Sequence, residues 1–292
     1  MKMKLSLCIL IFVLCLILSF IKYKESFSVN KKIAFCFLIY DKINNEELWH
    51  TFFKNIDKNK YNIYIHYKEN KPLKYFESYK IKDIIPTEWC GNSLVKAQNK
   101  LLESAIKDSN NQHFIFVSNS CIPLKSFDYI YNILDTNYSY FNKTKPYTKI
   151  FSLNIKAYKA SQWCILNRTH TQKILENNNI LTKILLHWDK LNPNYYFIRG
   201  CPDEYTYISL LFHLGLEKEL ILTYKLSSDA TSFTSWKDMI NYKDFKNSKK
   251  NGEPHNYSFI CKEELDFLVN SKSLFGRKFI DGCEGLEYLN II

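Results

Sequence analysis

The chain is expected to fold as an α/β protein built on an open sheet flanked by helices. Two observations predict this. Residues 33–40 are a continuous apolar run of strand length and 113–118 another buried strand, the pattern of strands buried on both faces, and 61–67 is a strand rich in aromatic and β-branched residues. Amphipathic helical segments separate them in the order strand, helix, strand, helix. Ligands of such sheets gather at the carboxyl ends of the strands. The third run stops at polar Ser118-Asn119-Ser120, shortly before Pro123, so that end is a candidate site.

The first helix is expected over residues 46–56, with Leu48, Phe52 and Phe53 inward. A short strand is expected at 81–86. Trp89-Cys90-Gly91-Asn92 then forms a loop, and Asn92 or Ser93 caps a helix that runs to about Lys107. Leu94, Ala97, Leu101 and Ala105 share its apolar face. Further on, 126–134 reads as helix and 149–153 and 162–166 as strands. Thr169 caps a helix to about Glu176, and a looser Asn/Lys-rich stretch follows. Strand is expected at 219–224, an irregular polar excursion at 231–254, and helix at 262–269. Residues 271–279 close the fold. No internal repeat or linker divides residues 32–292, so they read as one domain.

A second focus is Arg199-Gly200-Cys201-Pro202-Asp203-Glu204-Tyr205. Gly200 and Pro202 break what precedes them, and Pro202 suits a helix start. Asp203 and Glu204 then fall in the first turn, where exposed backbone N–H groups favour anions. Tyr207, Ile208, Leu210 and Leu211 supply an apolar face behind them. The pattern predicts two adjacent carboxylates on a rigid mount.

Residues 5–21 are apolar apart from Ser6 and Ser19, with Lys2, Lys4, Lys22 and Lys24 on the flanks. The run is short for a spanning helix but longer than a typical signal-peptide core. No small-residue cleavage site follows. An uncleaved signal anchor over residues 1–24 is expected, with a cleaved signal peptide the alternative. The formal net charge of +11 comes from scattered lysines, and no nucleic-acid module accompanies it. The absence of a C-x-x-C pair argues against zinc. Asn137, Asn142, Asn167 and Asn256 each begin an N-x-S/T triplet, weak support for a lumenal setting. An oxidising lumen would permit disulfides, whose pairing the sequence leaves open.

Five stretches together resemble the core-2/I-branching enzymes, glycosyltransferase family 14, especially the plant-type branch. They are Trp89 to Val95 with Ala97, Leu101 and Leu102; Phe116 to Leu124; Ser161-Gln162-Trp163 with Asn167-Arg168; Pro202-Asp203-Glu204-Tyr205; and Leu274 to Phe279. They resemble, in order, the family's W-G-x-S-[LM]-V, L-S-[ED]-S-C-I-P-L, S-Q-W, P-D-E-[HY] and L-F-A-[RN]-K-F. Each alone is a weak signal; five in sequence are specific. The resemblance implies a GT-A-like nucleotide-sugar fold, type II membrane topology in a Golgi-like lumen, and metal-independent transfer with inversion. The transfer runs from a UDP-sugar to a hydroxyl of a glycan or protein.

The resemblance and the residue chemistry suggest roles. Glu204 matches the family base, and burial beside Tyr205 and Tyr207 is expected to raise its pKa. Asp203 is expected to cap the helix or to hydrogen-bond a sugar hydroxyl. Ser118 and Ser120 stand where many enzymes of this fold place metal-binding carboxylates, and hydroxyls serve a hard cation poorly. No metal cofactor is expected, and Lys278 and Arg277 are the candidates to meet the diphosphate. His66, at a strand end, is a candidate for the nucleotide pocket, with a satisfied structural histidine the favoured reading. Trp89 and Trp163 are candidates for stacking on sugar or base, with core packing the alternative. Two departures stand out from the animal enzymes. Lys68 replaces an Asp near the uridine, and no Arg appears around His255-Asn256-Tyr257-Ser258. UDP-N-acetylglucosamine is the favoured donor and UDP-xylose or another UDP-sugar the first alternative. A glycan-binding module without turnover is a second alternative.

Overall fold

The computed structural model describes residues 31–143, 155–189, 201–224, 231–235 and 254–290. The chain opens with β1 (Lys32–Ile39), α1 (Glu46–Phe53), β2 (Tyr61–Tyr67), α2 (Asn92–Ala105) and β3 (Asn111–Ser118). It continues through β4 (Ile122–Pro123), α3 (Phe127–Ile133), β5 (Ser139–Lys143), β6 (Ile165–Asn167), α4 (Arg168–Glu176) and α5 (Asn178–Asp189). A 3₁₀ turn (Pro202–Glu204) precedes α6 (Thr206–His213), β7 (Leu220–Tyr224) and β8 (Ser232–Thr234). β9 (Tyr257–Phe259), α7 (Lys262–Asn270), β10 (Phe275–Arg277) and β11 (Phe279–Glu284) follow.

Among the described residues the main sheet has six strands in the order β2-β1-β3-β6-β5-β7. β2 and β3 flank β1 in parallel, as the alternation of strands and helices predicts. The sheet is mixed beyond them: β6 runs antiparallel to β3 and β5, and β7 is parallel to β5. β10 pairs with β4 and β8 in a small second sheet, and β9 pairs with β11.

β1 explains the layering. Alternate side chains of a strand point to opposite faces. Ala34, Cys36 and Leu38 join one core with Val95, Leu101 and Leu102 of α2 and Leu210 and Leu211 of α6. Phe35 and Phe37 join the other with Trp49, Phe52 and Phe53 of α1. Trp49 is the hub of this second layer. Its ring lies 4.9 Å from Phe37 edge-on and 6.1 Å from Phe275 face-on. Its indole Nε1 donates to the Cys121 carbonyl at 2.9 Å. That bond ties α1 to the loop after β3, and so to the candidate site.

Several elements differ from expectation. The strand at 81–86 does not form; only Lys80 makes a bridge, to Ile65. Gly91, not Asn92 or Ser93, caps α2, because both side chains are taken elsewhere. Asn92 donates to the Leu185 carbonyl and Ser93 accepts from the Glu88 N–H. Asn167 caps α4 in place of Thr169, accepting from His170 N–H at 2.7 Å. The loose stretch after Glu176 is α5, which packs Leu181, Ile184 and Leu185 into the first core. β5 is a strand the sequence did not announce. The strand expected at 149–153 and the apolar run at 5–21 lie outside the described residues. Among the described residues no helix is long and apolar enough to cross a membrane.

Replacing Trp49 by Ala removes an indole that is fully buried among aromatic rings. The expected loss is about 3–5 kcal/mol of unfolding free energy. Denaturant unfolding of Trp49→Ala against wild type measures it, and a loss under about 1 kcal/mol would show that Trp49 is not the hub.

Candidate functional site

A cavity of about 400 Å³ opens where β1 and β3 end. Its walls come from the end of β1, the loop at Ser118 to Ser120, the loop at Thr87 to Trp89, Gln162-Trp163, and the run from Arg277 to Ile280. The loop after β3 is tightly made. Cys121 N–H closes a turn on the Ser118 carbonyl at 3.2 Å, and the Ser118 and Ser120 hydroxyls lie 3.2 Å apart. Phe279 N–H donates to the Ser120 carbonyl at 2.9 Å, and Asn44 N–H to that of Asn119 at 2.8 Å. Asn44 also donates through its amide to the Phe279 carbonyl at 2.8 Å. The loop after β3 and the end of β10 are therefore one hydrogen-bonded unit. This brings Arg277 and Lys278 to the same cavity as Ser118 and Ser120, although about 160 residues separate them in sequence.

The cavity is basic. Lys68, Arg277 and Lys278 all line it, with Glu88 the acidic residue in its wall. The Lys68 ammonium lies 5.2 Å above the Tyr40 ring. The Arg277 guanidinium lies 4.9 Å from the ring of Trp163, which is 5% exposed. Burial lowers the Arg277 pKa, and Cys121, Asp203 and Glu204 oppose that shift. At the rim Trp89 is 76% exposed. Ser118, Asn119 and Ser120 offer hydroxyls and an amide, and among the described residues no three His, Cys, Asp or Glu side chains gather into a metal-binding group.

The two carboxylates do not sit in an α-helical turn. Pro202–Glu204 is a separate 3₁₀ turn, and Tyr205 (φ −120°, ψ −31°) breaks it from α6. Thr206 Oγ1 donates back to the Pro202 carbonyl at 2.6 Å and holds the break. The turn sends neighbouring side chains in different directions. Asp203 points inward, 7% exposed, with Oδ1 lacking any hydrogen-bond partner among the described residues. Burial, then the charge of Glu204, pushes its carboxyl up to about 7. Glu204 Oε2 instead meets the Lys159 ammonium at 2.9 Å and the Cys201 N–H at 3.2 Å. The desolvated carboxylate is thus Asp203, where the sequence pointed to Glu204. Tyr205 and Tyr207 are buried in the first core, and the Tyr207 hydroxyl donates to Asn99 at 2.6 Å.

A disulfide, Cys90–Cys201, joins this turn to the loop that carries Trp89, across 111 residues of sequence. Cys90 adopts a left-handed backbone (φ 61°), and Cys201 is the residue whose N–H orients Glu204. A second tie comes from Ala160 N–H, which donates to the Glu204 carbonyl at 2.8 Å beside Lys159.

The structure therefore gathers Ser118, Ser120, Trp89, Trp163, Arg277 and Lys278 around one cavity. Asp203 and Glu204 lie within electrostatic reach of Arg277. His66 is the exception. It is fully buried on β2, does not line the cavity, and accepts the Ile85 N–H at 3.2 Å. Burial lowers its pKa to about 4, so the ring is neutral and holds the segment after β2 in place. Lys159, the cystine and Asn44 were missed, and nothing local marks them; each acts through a partner distant in sequence. Asn256 lines the cavity in the stretch that lacks an Arg. Of the glycosylation triplets, Asn142 and Asn167 are buried, Asn167 as the α4 cap.

Residues 33–269 match the core-2/I-branching enzyme family. A curated relative, glycosyltransferase BC10 of Oryza sativa subsp. japonica, is 27% identical over 221 residues. That match covers 65% of this chain and 55% of the rice protein, so the chain spans about half of its relative's length. Among solved structures, a glycosyltransferase involved in the glycosylation of the major capsid of PBCV-1 aligns over 83% of this chain and 91% of its own, with 12% identity and a TM-score of 0.37. That similarity is too low to bear on function. The motif resemblance and the match over residues 33–269 agree, and the chain belongs to the core-2/I-branching enzyme family.

Proposed function

We propose that this chain is a glycosyltransferase that moves a sugar from a UDP-sugar to a hydroxyl of a glycan or glycoprotein, with inversion and without a metal ion. One observation carries the reading: Arg277 and Lys278 share a cavity with the Ser118 to Ser120 loop at the carboxyl ends of β1 and β3. Two fixed cations suit a departing diphosphate, and the charge-assisted bonds they offer are the strong kind. Inversion is a single displacement. The acceptor oxygen bonds to the anomeric carbon as the carbon–phosphate oxygen bond breaks, and one base removes the hydroxyl proton. Glu204 takes that role. Lys159 and Cys201 N–H hold its Oε2 and so fix the plane of the carboxylate. Asp203, buried beside it, sets the local field rather than meeting the acceptor.

UDP-N-acetylglucosamine is the favoured donor and UDP-xylose the next. We place the protein in a Golgi-like lumen as a single-pass type II membrane protein, through the apolar run at 5–21. The Cys90–Cys201 cystine supports an oxidising compartment.

A UDP-release assay across a panel of UDP-sugars, with acceptor, tests the activity. Glu204→Gln is expected to lower kcat by about 10²- to 10⁴-fold with little change in UDP affinity. Lys278→Ala should weaken UDP binding as well as turnover. A folded Glu204→Gln that keeps more than about a tenth of wild-type kcat would remove Glu204 from the role.

Transfer is expected to persist in excess EDTA. Complete loss that manganese restores would overturn the metal-independent reading.

Asp203 gives a pH-dependent stability with a definite sign. Its carboxyl is raised from 3.8 to about 7, so between these values the native state holds a proton that the unfolded chain has released. Stability falls as pH rises through that window, and the cost is complete above it. Asp203→Asn removes the titration. Its melting temperature relative to wild type is expected to be higher at pH 8 than at pH 5. An equal difference at both pH values would show that Asp203 does not titrate this way.

A further inference from the structure

The wall of the cavity holds three buried polar atoms with no hydrogen-bond partner among the described residues: Arg277 Nε, Trp163 Nε1 and Gln162 Oε1. Such atoms are rare in native proteins because each costs free energy. Two of the three are N–H donors, on residues that both line the cavity. The Arg277 Nε donor without an acceptor, next to a cavity with a positive wall, points to a ligand rich in acceptor oxygens.

Trp163 is also placed by bonds on both sides of its backbone. Its N–H donates to Ser161 Oγ at 3.3 Å, and its carbonyl accepts Thr231 Oγ1 at 3.3 Å. Thr231 adjoins β8, which pairs with β10 so that Thr234 lies opposite Arg277. The carbonyl of Thr231 in turn accepts Leu274 and Phe275 N–H at the start of β10. The indole and the guanidinium are therefore set by one hydrogen-bonded frame.

We propose that Trp163 is a positioning residue for Arg277: its ring carries the flat face of the guanidinium and leaves the N–H edge for the leaving diphosphate. This rests on the glycosyltransferase reading above and assigns Trp163 a task other than stacking on sugar or base. A guanidinium suits it, being planar, weakly hydrated and able to stack while its in-plane donors stay available. An aromatic face stabilises the cation without occupying those donors, as a carboxylate in the same place would.

The test is calorimetric binding of UDP and of uridine to the full chain. Trp163→Leu is expected to weaken UDP binding roughly five- to thirtyfold, the range of a partly desolvated cation–π contact, and to leave uridine binding within about twofold. Trp163→Phe keeps a π face and should restore most of the loss. In an Arg277→Gln background Trp163→Leu should cost nothing further for UDP. Trp163→Met, which fills the wall without a π face, replaces Trp163→Leu if the latter does not fold. Equal loss of UDP and uridine, unchanged UDP affinity, or additive losses in the double variant would each overturn the proposal. Wild-type protein that binds no UDP would instead overturn the glycosyltransferase reading itself.

Discussion

Burial of β1 on both faces is the constraint from which the site follows. A strand with Phe35 and Phe37 in one core and Cys36 and Leu38 in the other has no freedom to shift register. It fixes β2 and β3 beside it in parallel, and so places their carboxyl ends together. The indole bond from Trp49 to Cys121 then carries this rigidity into the loop after β3. The Phe279 and Asn44 bonds carry it on to the end of β10. The polar side chains of the cavity are mounted on a frame held by apolar packing. This is why hydroxyls and cations from the two ends of the domain meet at one cavity.

Charge is distributed within that frame in an ordered way. The carboxylates lie on one turn, Arg277 and Lys278 at the end of β10, and Arg277 feels both carboxylates. Splitting neighbouring carboxylates into one buried and one paired to Lys159 keeps two like charges from competing for a single environment. The 3₁₀ turn does this.

Much of this was legible in the sequence. β1 and β3 announced themselves as buried apolar runs and β2 by its aromatic and β-branched content, and the ordered motifs identified the family. What failed had physical causes. β5 carries Ser139, Asn142 and Lys143, which are buried through tertiary contacts that no local pattern records. The Asn run at 177–179 disguised α5, although Leu181, Ile184 and Leu185 have helical spacing. His66, at a strand end, takes the structural role the sequence favoured, its ring turned into the fold toward Ile85. Glu204 and Asp203 are adjacent in sequence, so only the backbone of the turn decides which is desolvated. Trp163 and Arg277 are more than 100 residues apart, and their contact follows from the β8–β10 pairing.

The cystine between Cys90 and Cys201 has a consequence for motion. It closes a loop of 111 residues, a constraint that chain-entropy arguments value at about 4–5 kcal/mol against the unfolded state. Its more local effect is to merge two excursions into one. Trp89 stands at the rim of the cavity, and Cys201 holds the carboxylate of Glu204. With their neighbours bonded to each other, the rim does not swing outward while the turn stays still. Amide exchange in the two segments is expected to report one shared opening, because neither can depart without the other.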